Sequence, residues 1–145
     1  MSDLQLVLGD WAQLAEPASK IRFDVFVDEQ KVPEEIELDE FDAVSLHAVV
    51  FDGVEPVATG RLLPDGHIGR MAVAKVARGK GVGGLVLQAL IDEGKKREFK
   101  EFVLSAQTHA MGFYAKYGFV AEGDIYLDAG IEHKDMRLVC IDAKM

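Results

Sequence analysis

The sequence predicts an α/β (α+β) fold with a mixed central sheet of about six to seven strands flanked by about four helices. Three observations predict it. Short apolar runs break at Asp52-Gly53 and Asp65-Gly66, the pattern of an antiparallel meander. A loop from Gly79 to Gly84 joins a β-branched run to an amphipathic helix. The run EFVLSA, residues 101–106, follows that helix, so a strand, crossover helix, strand unit forms whose two strands should be parallel. A chain of 145 residues makes one domain, residues 1–145, able to bury about two-thirds of its unfolded surface.

Taken in order, Leu4, Leu6 and Leu8 alternate with Gln5 and Val7, which makes residues 3–8 a strand. Asp10 can cap the next segment. Ile21, Val25 and Phe26, with Phe23 and Val27 beside them, suit a helix from about Ala15 to Glu29, with Pro17 in its first turn and Pro33 beyond its end. The acidic stretch 32–42 reads as a loop or short helix, and strands follow at 45–51, 55–63 and 67–76. After the glycines, Val82, Leu85, Val86, Ala89 and Leu90 stand at helical spacing, and Lys95, Lys96 and Arg97 suit the negative end of the helix dipole. Beyond residues 101–106 come a short helix near His109 to Tyr117, a strand near 120–127, a turn at Asp128-Ala129-Gly130 and a last strand from Ile131 to Val139.

Composition excludes several functions. An apolar content of 49% and a mean hydropathy of +0.07 describe an ordinary soluble protein. No apolar run nears the roughly 18 residues a membrane span needs, so no membrane role is expected. The N-terminus lacks the marks of a signal peptide, and the single cysteine, Cys140, rules out an internal disulfide; a cytoplasmic protein is expected. A formal charge of −9 argues against nucleic acid as a partner. The charge is uneven, with twelve acids against three bases in residues 1–42, whereas Arg61, Arg70, Lys75, Arg78 and Lys80 face only Asp65 in residues 61–80. One end suits an anion and the other a cation, unless the acidic run is only solvated surface. None of His47, His67, His109 and His133 has metal-ligand spacing, and the acids between 35 and 42 lack the pattern of a calcium loop, so no metal is expected.

The stretch RMAVAKVARGKGVGG, residues 70–84, carries the chemistry. Glycines let backbone N–H groups approach an anion closely, and the first turn of the next helix adds unpaired donors at a positive dipole end. That is a polyphosphate site. Gly79, Gly81 and Gly84 fit the dinucleotide pattern G-x-G-x-x-G, but the acid expected about 20 residues on is missing around Leu104 to Ala106. A Walker loop is excluded, since no Lys-Ser/Thr pair follows. A ligand-free glycine turn is the alternative.

From Arg78 the loop also spells R-x-x-G-x-G through Gly81 and Gly83, which resembles motif A of the GNAT acetyltransferases. AMGFYAKYGF, residues 110–119, resembles motif B, and the order of elements is similar to the GNAT acyl-CoA N-acyltransferase fold over nearly the whole chain. IRFDVFVDEQKVPEEIELDEFD, SLHAVV, LSAQT and LDAGIEHKDM are similar to the small bacterial YjcF/ElaA-like subgroup. The resemblance implies an acetyl-CoA cosubstrate. Met71, Ala72 and Val73 would offer backbone groups to its pantetheine arm, and Arg78, Gly79, Lys80, Gly81, Val82, Gly83 and Gly84 would hold its pyrophosphate. Gln107 stands where many relatives have an Asn that reaches the pantetheine amides. Tyr114, with Phe113 and Tyr117 beside it, matches the tyrosine near the thioester sulfur.

An arm bearing amides can pair with diverging parallel strands as an added strand would. Acetyl transfer then needs a neutral amine, a donor for the carbonyl oxygen and a proton for the thiolate. Tyr114 can supply that proton, or it can simply pack among aromatics. For the base, Glu29, Glu37, Asp39 and His133 are candidates, whereas His47 in an alternating strand reads as structural and His67 and His109 as surface residues. The expected activity is N-acetylation of a small-molecule or peptide amine by direct transfer in a ternary complex, the acidic segment from Asp28 to Asp42 drawing a cationic acceptor. An acyl-CoA-binding or sensing module without turnover is the alternative. A homodimer stays open.

Overall fold

The computed structural model describes residues 3–33 and 39–140, so Glu37 lies outside the described residues. Strand β1, Leu4–Gly9, leads into α1, Trp11–Arg22. Asp10 Oδ1 accepts from the Gln13 N–H at 2.9 Å, and Gln13 Oε1 accepts from the Asp10 N–H at 3.0 Å. This reciprocal cap starts the helix earlier than the expected Ala15, so Pro17 falls in the second turn, where it removes one helical donor. From Phe23–Glu29 the helix widens into π pairing, and the Gln30 N–H still reaches Val25 O at 3.1 Å.

After a 3-10 turn at Glu40–Val44 come β2, Leu46–Asp52, β3, Glu55–Leu62, and β4, Ile68–Val73. With β1 they form an antiparallel sheet in the order β1-β2-β3-β4. The Asp52-Gly53 turn forms as expected, with Gly53 at φ 64°. Helix α2, Val82–Lys96, then leads to β5, Glu101–Gln107, the short α3, Met111–Ala115, β6, Val120–Asp128, and β7, Ile131–Val139. These last three strands make a second antiparallel sheet in the order β5-β7-β6. The expected parallel pairing of β4 with β5 is reduced to one bridge, His67 to Val103, with Val103 N–H donating to Gly66 O at 3.1 Å. Beyond it the strands part.

Strand β2 is buried on both faces. Ala48 and Val50 join the cluster of α2, while Val49 joins Leu14, Ala18, Ile21 and Val25 of the first helix. The buried face of α2 is Val82, Val86, Leu87, Leu90, Ile91 and Gly94. Leu85, expected inside, is 46% exposed. A helix this apolar offers two adjacent stripes, and the sheet takes the one that includes Leu87 and Ile91.

Under the first helix lies a chain of charges that ties four elements together. Asp42 is buried and accepts from Arg22 at 2.8 and 3.1 Å and from Arg61 at 2.8 Å. Arg61 also grips Asp39 at 2.6 and 2.9 Å, and Arg70 of β4 meets Asp39 at 3.1 Å. Arg22 stacks over Trp11 at 5.4 Å, and His47 Nε2 donates to Asp42 O at 2.9 Å. His47 is thus the structural histidine that its strand suggested. Burial alone would raise the Asp42 and Asp39 carboxyls, but their arginines outweigh it and hold both below the usual range. Burial pushes the His47 imidazole the other way, below its ordinary 6.5.

A carboxyl depressed in the native state contributes stability that is complete above its unfolded pKa and is lost as pH falls through the native one. A His held neutral by burial begins to lose stability where the unfolded imidazole takes its proton, near pH 6.5. Both signs agree. The melting temperature should therefore start to drop below about pH 6.5 and fall more steeply below about pH 4. Asp42→Asn removes the buried carboxylate that Arg22 and Arg61 share and should cost about 3 to 5 kcal/mol at pH 7. If it does not fold, Asp39→Asn should show a smaller loss of the same sign. Urea titrations at pH 7 and pH 4 check this: a variant with the acid slope of the parent would remove the charge chain from the acid response.

Candidate active site

Because, among the described residues, a single bridge from His67 to Val103 pairs the β4 side with β5, a cleft of about 770 Å³ opens between their C-terminal ends. Its walls include Met71, Ala72 and Val73 of β4, Ser105 and Gln107 of β5, Tyr114 of α3, His133 of β7, and Glu29 and Gln30 at the end of the π segment. The widened helix is what carries those last two residues over the cleft, and such widenings recur at functional sites. On the β4 side the register slips. Thr59 pairs with Ala72 and Arg61 with Gly69, so Arg70 and Met71 together face Gly60. Arg70 stands at φ 50°, a left-handed conformation that a bulged strand imposes. The slip leaves β4 backbone groups outside the ladder on the wall of the cleft.

Past Val73, a 3-10 turn at Lys75–Ala77 delivers the chain to the glycine loop. Gly79 and Gly81 take φ of 77° and 76°, which glycine adopts freely, and a Cβ on either would meet nothing within 4 Å. The space above the loop is open. Gly81 caps α2 with no side-chain hydrogen bond, and the first turn holds no acid, so its amides point at that space uncompensated. This cradle fits a diphosphate. Lys80 lies exposed in the turn, while Val82 turns its side chain into the core and offers only backbone. Gly83 packs 3.3 Å from Val73 Cγ2, measured at the place of a Cβ, and Gly84 lies against the Tyr117 hydroxyl with no room for one. These two glycines serve close packing.

The aromatic group is assembled around Tyr114. Phe113 meets Tyr114 edge-on at 5.0 Å and Tyr117 at 5.5 Å, so Phe113 and Tyr117 wedge the start of α2 against α3. Tyr114 is 9% exposed, and burial pushes its hydroxyl up to about 12. Among the described residues that hydroxyl has no hydrogen-bond partner. It is a held proton facing the cleft. Across from it, His133 Nδ1 donates to Ile131 O at 2.7 Å. A carbonyl can only accept, so Nε2 of the neutral ring keeps its lone pair. Tyr126 stacks on this ring at 6.1 Å and is itself bonded to Ser105 and, at 2.6 Å, to Asp135.

Glu29 reaches the cleft, but both of its oxygens are taken by Arg78, at 2.8 and 3.0 Å. That bond holds the Glu29 carboxyl below its usual range. The Arg78 side chain therefore points back from the loop, and its Nε donates to Val73 O at 2.9 Å. Gln107 donates to Gln30 at 2.9 Å, a partner that sequence reasoning missed because 77 residues separate the two. Of the acids expected to draw a cation, Glu29, Asp39 and Asp42 are all neutralised by arginines. Arg61 gave the available signal, a cation beside the apolar Leu62 and Leu63.

The chain and its architecture have counterparts. A family model for the acetyltransferase (GNAT) domain matches residues 14–140. The uncharacterized N-acetyltransferase YjcF of Bacillus subtilis is 39% identical over 137 residues, 92% of this chain and 98% of that one. ElaA of Escherichia coli is 30% identical over 132 residues, 86% of each chain. A crystal structure of an acyl-CoA N-acyltransferase from Pseudomonas aeruginosa matches with a TM-score of 0.85 at 31% identity, covering 94% of this chain and 100% of that one. Matched by the family model over residues 14–140 and by relatives across nearly its whole length, the chain belongs to the GNAT family of N-acetyltransferases.

Proposed function

We propose that the protein transfers an acetyl group from acetyl-CoA to a primary amine of a small molecule or peptide, directly, within a ternary complex. One observation carries this reading: a protonated tyrosine hydroxyl without a partner and an imidazole with an open Nε2 line the same cleft between two unpaired strand edges. Bound there, acetyl-CoA supplies the activated acyl group. The glycine loop, Arg78 through Gly84, holds its diphosphate, and Met71, Ala72, Val73 and Gln107 offer backbone and amide groups to its arm. Phe113 and Tyr117 support that wall.

His133 Nε2 takes the proton of the incoming ammonium, directly or through a water, while the bond to Ile131 O keeps the ring oriented. As the C–S bond breaks, Tyr114 donates its proton to the departing sulfur and regains one from the nitrogen, which sheds its second proton as the amide forms. Its raised pKa of about 12 keeps it a donor throughout the neutral and mildly alkaline range. Without a donor bound, Arg78 occupies both oxygens of Glu29, and the scheme gives the role of base to His133. A cytoplasmic setting agrees with a single free cysteine and an acyl-CoA cosubstrate. Among the described residues, no helix is long and apolar enough to cross a membrane.

Acetyl-CoA should raise the melting temperature by mass action, and thiol release across an amine library identifies the acceptor. With that acceptor, Tyr114→Phe should lower turnover about 10- to 1,000-fold while CoA affinity survives. Full turnover would return Tyr114 to a packing role. His133→Gln should lower kcat while CoA affinity stays near the parent's, and a kcat equal to the parent's would exclude His133 as the base.

A further inference from the structure

Arg78 opens the glycine loop, yet its guanidinium faces the other way. It bridges the end of the π segment to the end of β4, holding Glu29 through two hydrogen bonds and Val73 O through a third. Val73 O is an acceptor that an amide-bearing arm laid along β4 would use. The latch therefore lies across the path of the arm, and it is made from the one arginine of the loop. Glu29 is 27% and Arg78 42% exposed, so solvent and ligand both reach the pair.

One guanidinium then has two anionic suitors. Glu29 offers a single negative charge, whereas a diphosphate carries more than one and also gains the uncompensated amides of the first turn of α2. We propose that Glu29 is an internal competitor of the acyl-CoA diphosphate for Arg78, so that donor binding exchanges one anion for the other and unlatches the first helix from β4. The exchange clears Val73 O for the arm and releases the Glu29 carboxylate toward the amine side of the cleft. Donor affinity is thus set partly by a residue that need not touch the donor. This rests on the loop being the acyl-CoA site.

The test is calorimetric titration of CoA into the parent, Glu29→Gln, Arg78→Ala and the double variant, at low and at high salt. A partly exposed ion pair of this kind costs the ligand a few-fold in affinity, so Glu29→Gln should bind CoA about two- to fivefold more tightly at low salt. The gain should shrink as salt rises and vanish in the Arg78→Ala background. The unliganded Glu29→Gln protein should at the same time melt lower, because its brace is gone. Lower apo stability with higher affinity is a pairing that simple structural damage does not produce. Unchanged or weaker binding in Glu29→Gln, or an equal gain in the Arg78→Ala background, would overturn the competition. If CoA binds none of the proteins, the acyl-CoA assignment of the loop fails and the competition falls with it.

Discussion

Asp42 is the fixed point of one whole side of the cleft. It lies almost without solvent between Arg22 and Arg61, and through Arg61 and Asp39 it is joined to Arg70 on the bulged strand. An apolar replacement could pack as well, since a buried ion pair seldom adds net stability. What the charges add is direction. Each carboxylate accepts from arginines on different elements, so α1, the 3-10 turn, β3 and β4 can close in one arrangement only. The end of the first helix and the bulge of β4 are the two surfaces so aligned, and the cleft lies between them.

On the opposite side the organising fact is an omission. Two sheets that share a single parallel bridge leave strand edges that would ordinarily be liabilities. Here they face a cleft that is crossed by side chains rather than filled by them. Glu29 with Arg78, and Gln30 with Gln107, span it in the same way, each joining the end of the first helix to one side of the cleft. Both pairs are polar and partly exposed. They can be traded for ligand groups without opening the core, which an apolar closure could not.

The local signals of the sequence were sufficient for several local elements, though not for the start of α1. The Asp52-Gly53 hairpin, the start of α2 at the glycines and β7 from Ile131 to Val139 all follow from turn chemistry and alternation. The conformation of the loop was legible for the same reason, since Gly79 and Gly81 take their left-handed turns within one continuous stretch. What could not be read was decided at a distance. Arg22 and Asp42 are 20 residues apart, and Gln30 and Gln107 are 77 apart, with no periodicity to link them. The stripe of α2 was misjudged at Leu85 because the choice between two apolar faces belongs to the sheet. Glu29 drew attention as an acid near the end of a helix, and only the fold reveals that Arg78 holds it.

The π-widened turn has an evolutionary consequence. Seven residues, Phe23–Glu29, are wound with more residues per turn than an α-helix holds, as if one had been inserted. Deleting a single residue there would restore ordinary winding and improve its hydrogen bonding. It would also swing everything downstream by about 100° around the axis, taking Glu29 and Gln30 off the cleft. The core contacts of α1 lie upstream, whereas Val25, buried within the turn beside Val49, would have to repack. Within such a lineage, the length of this one turn separates a protein whose first helix reaches the ends of β4 and β5 from one whose first helix does not.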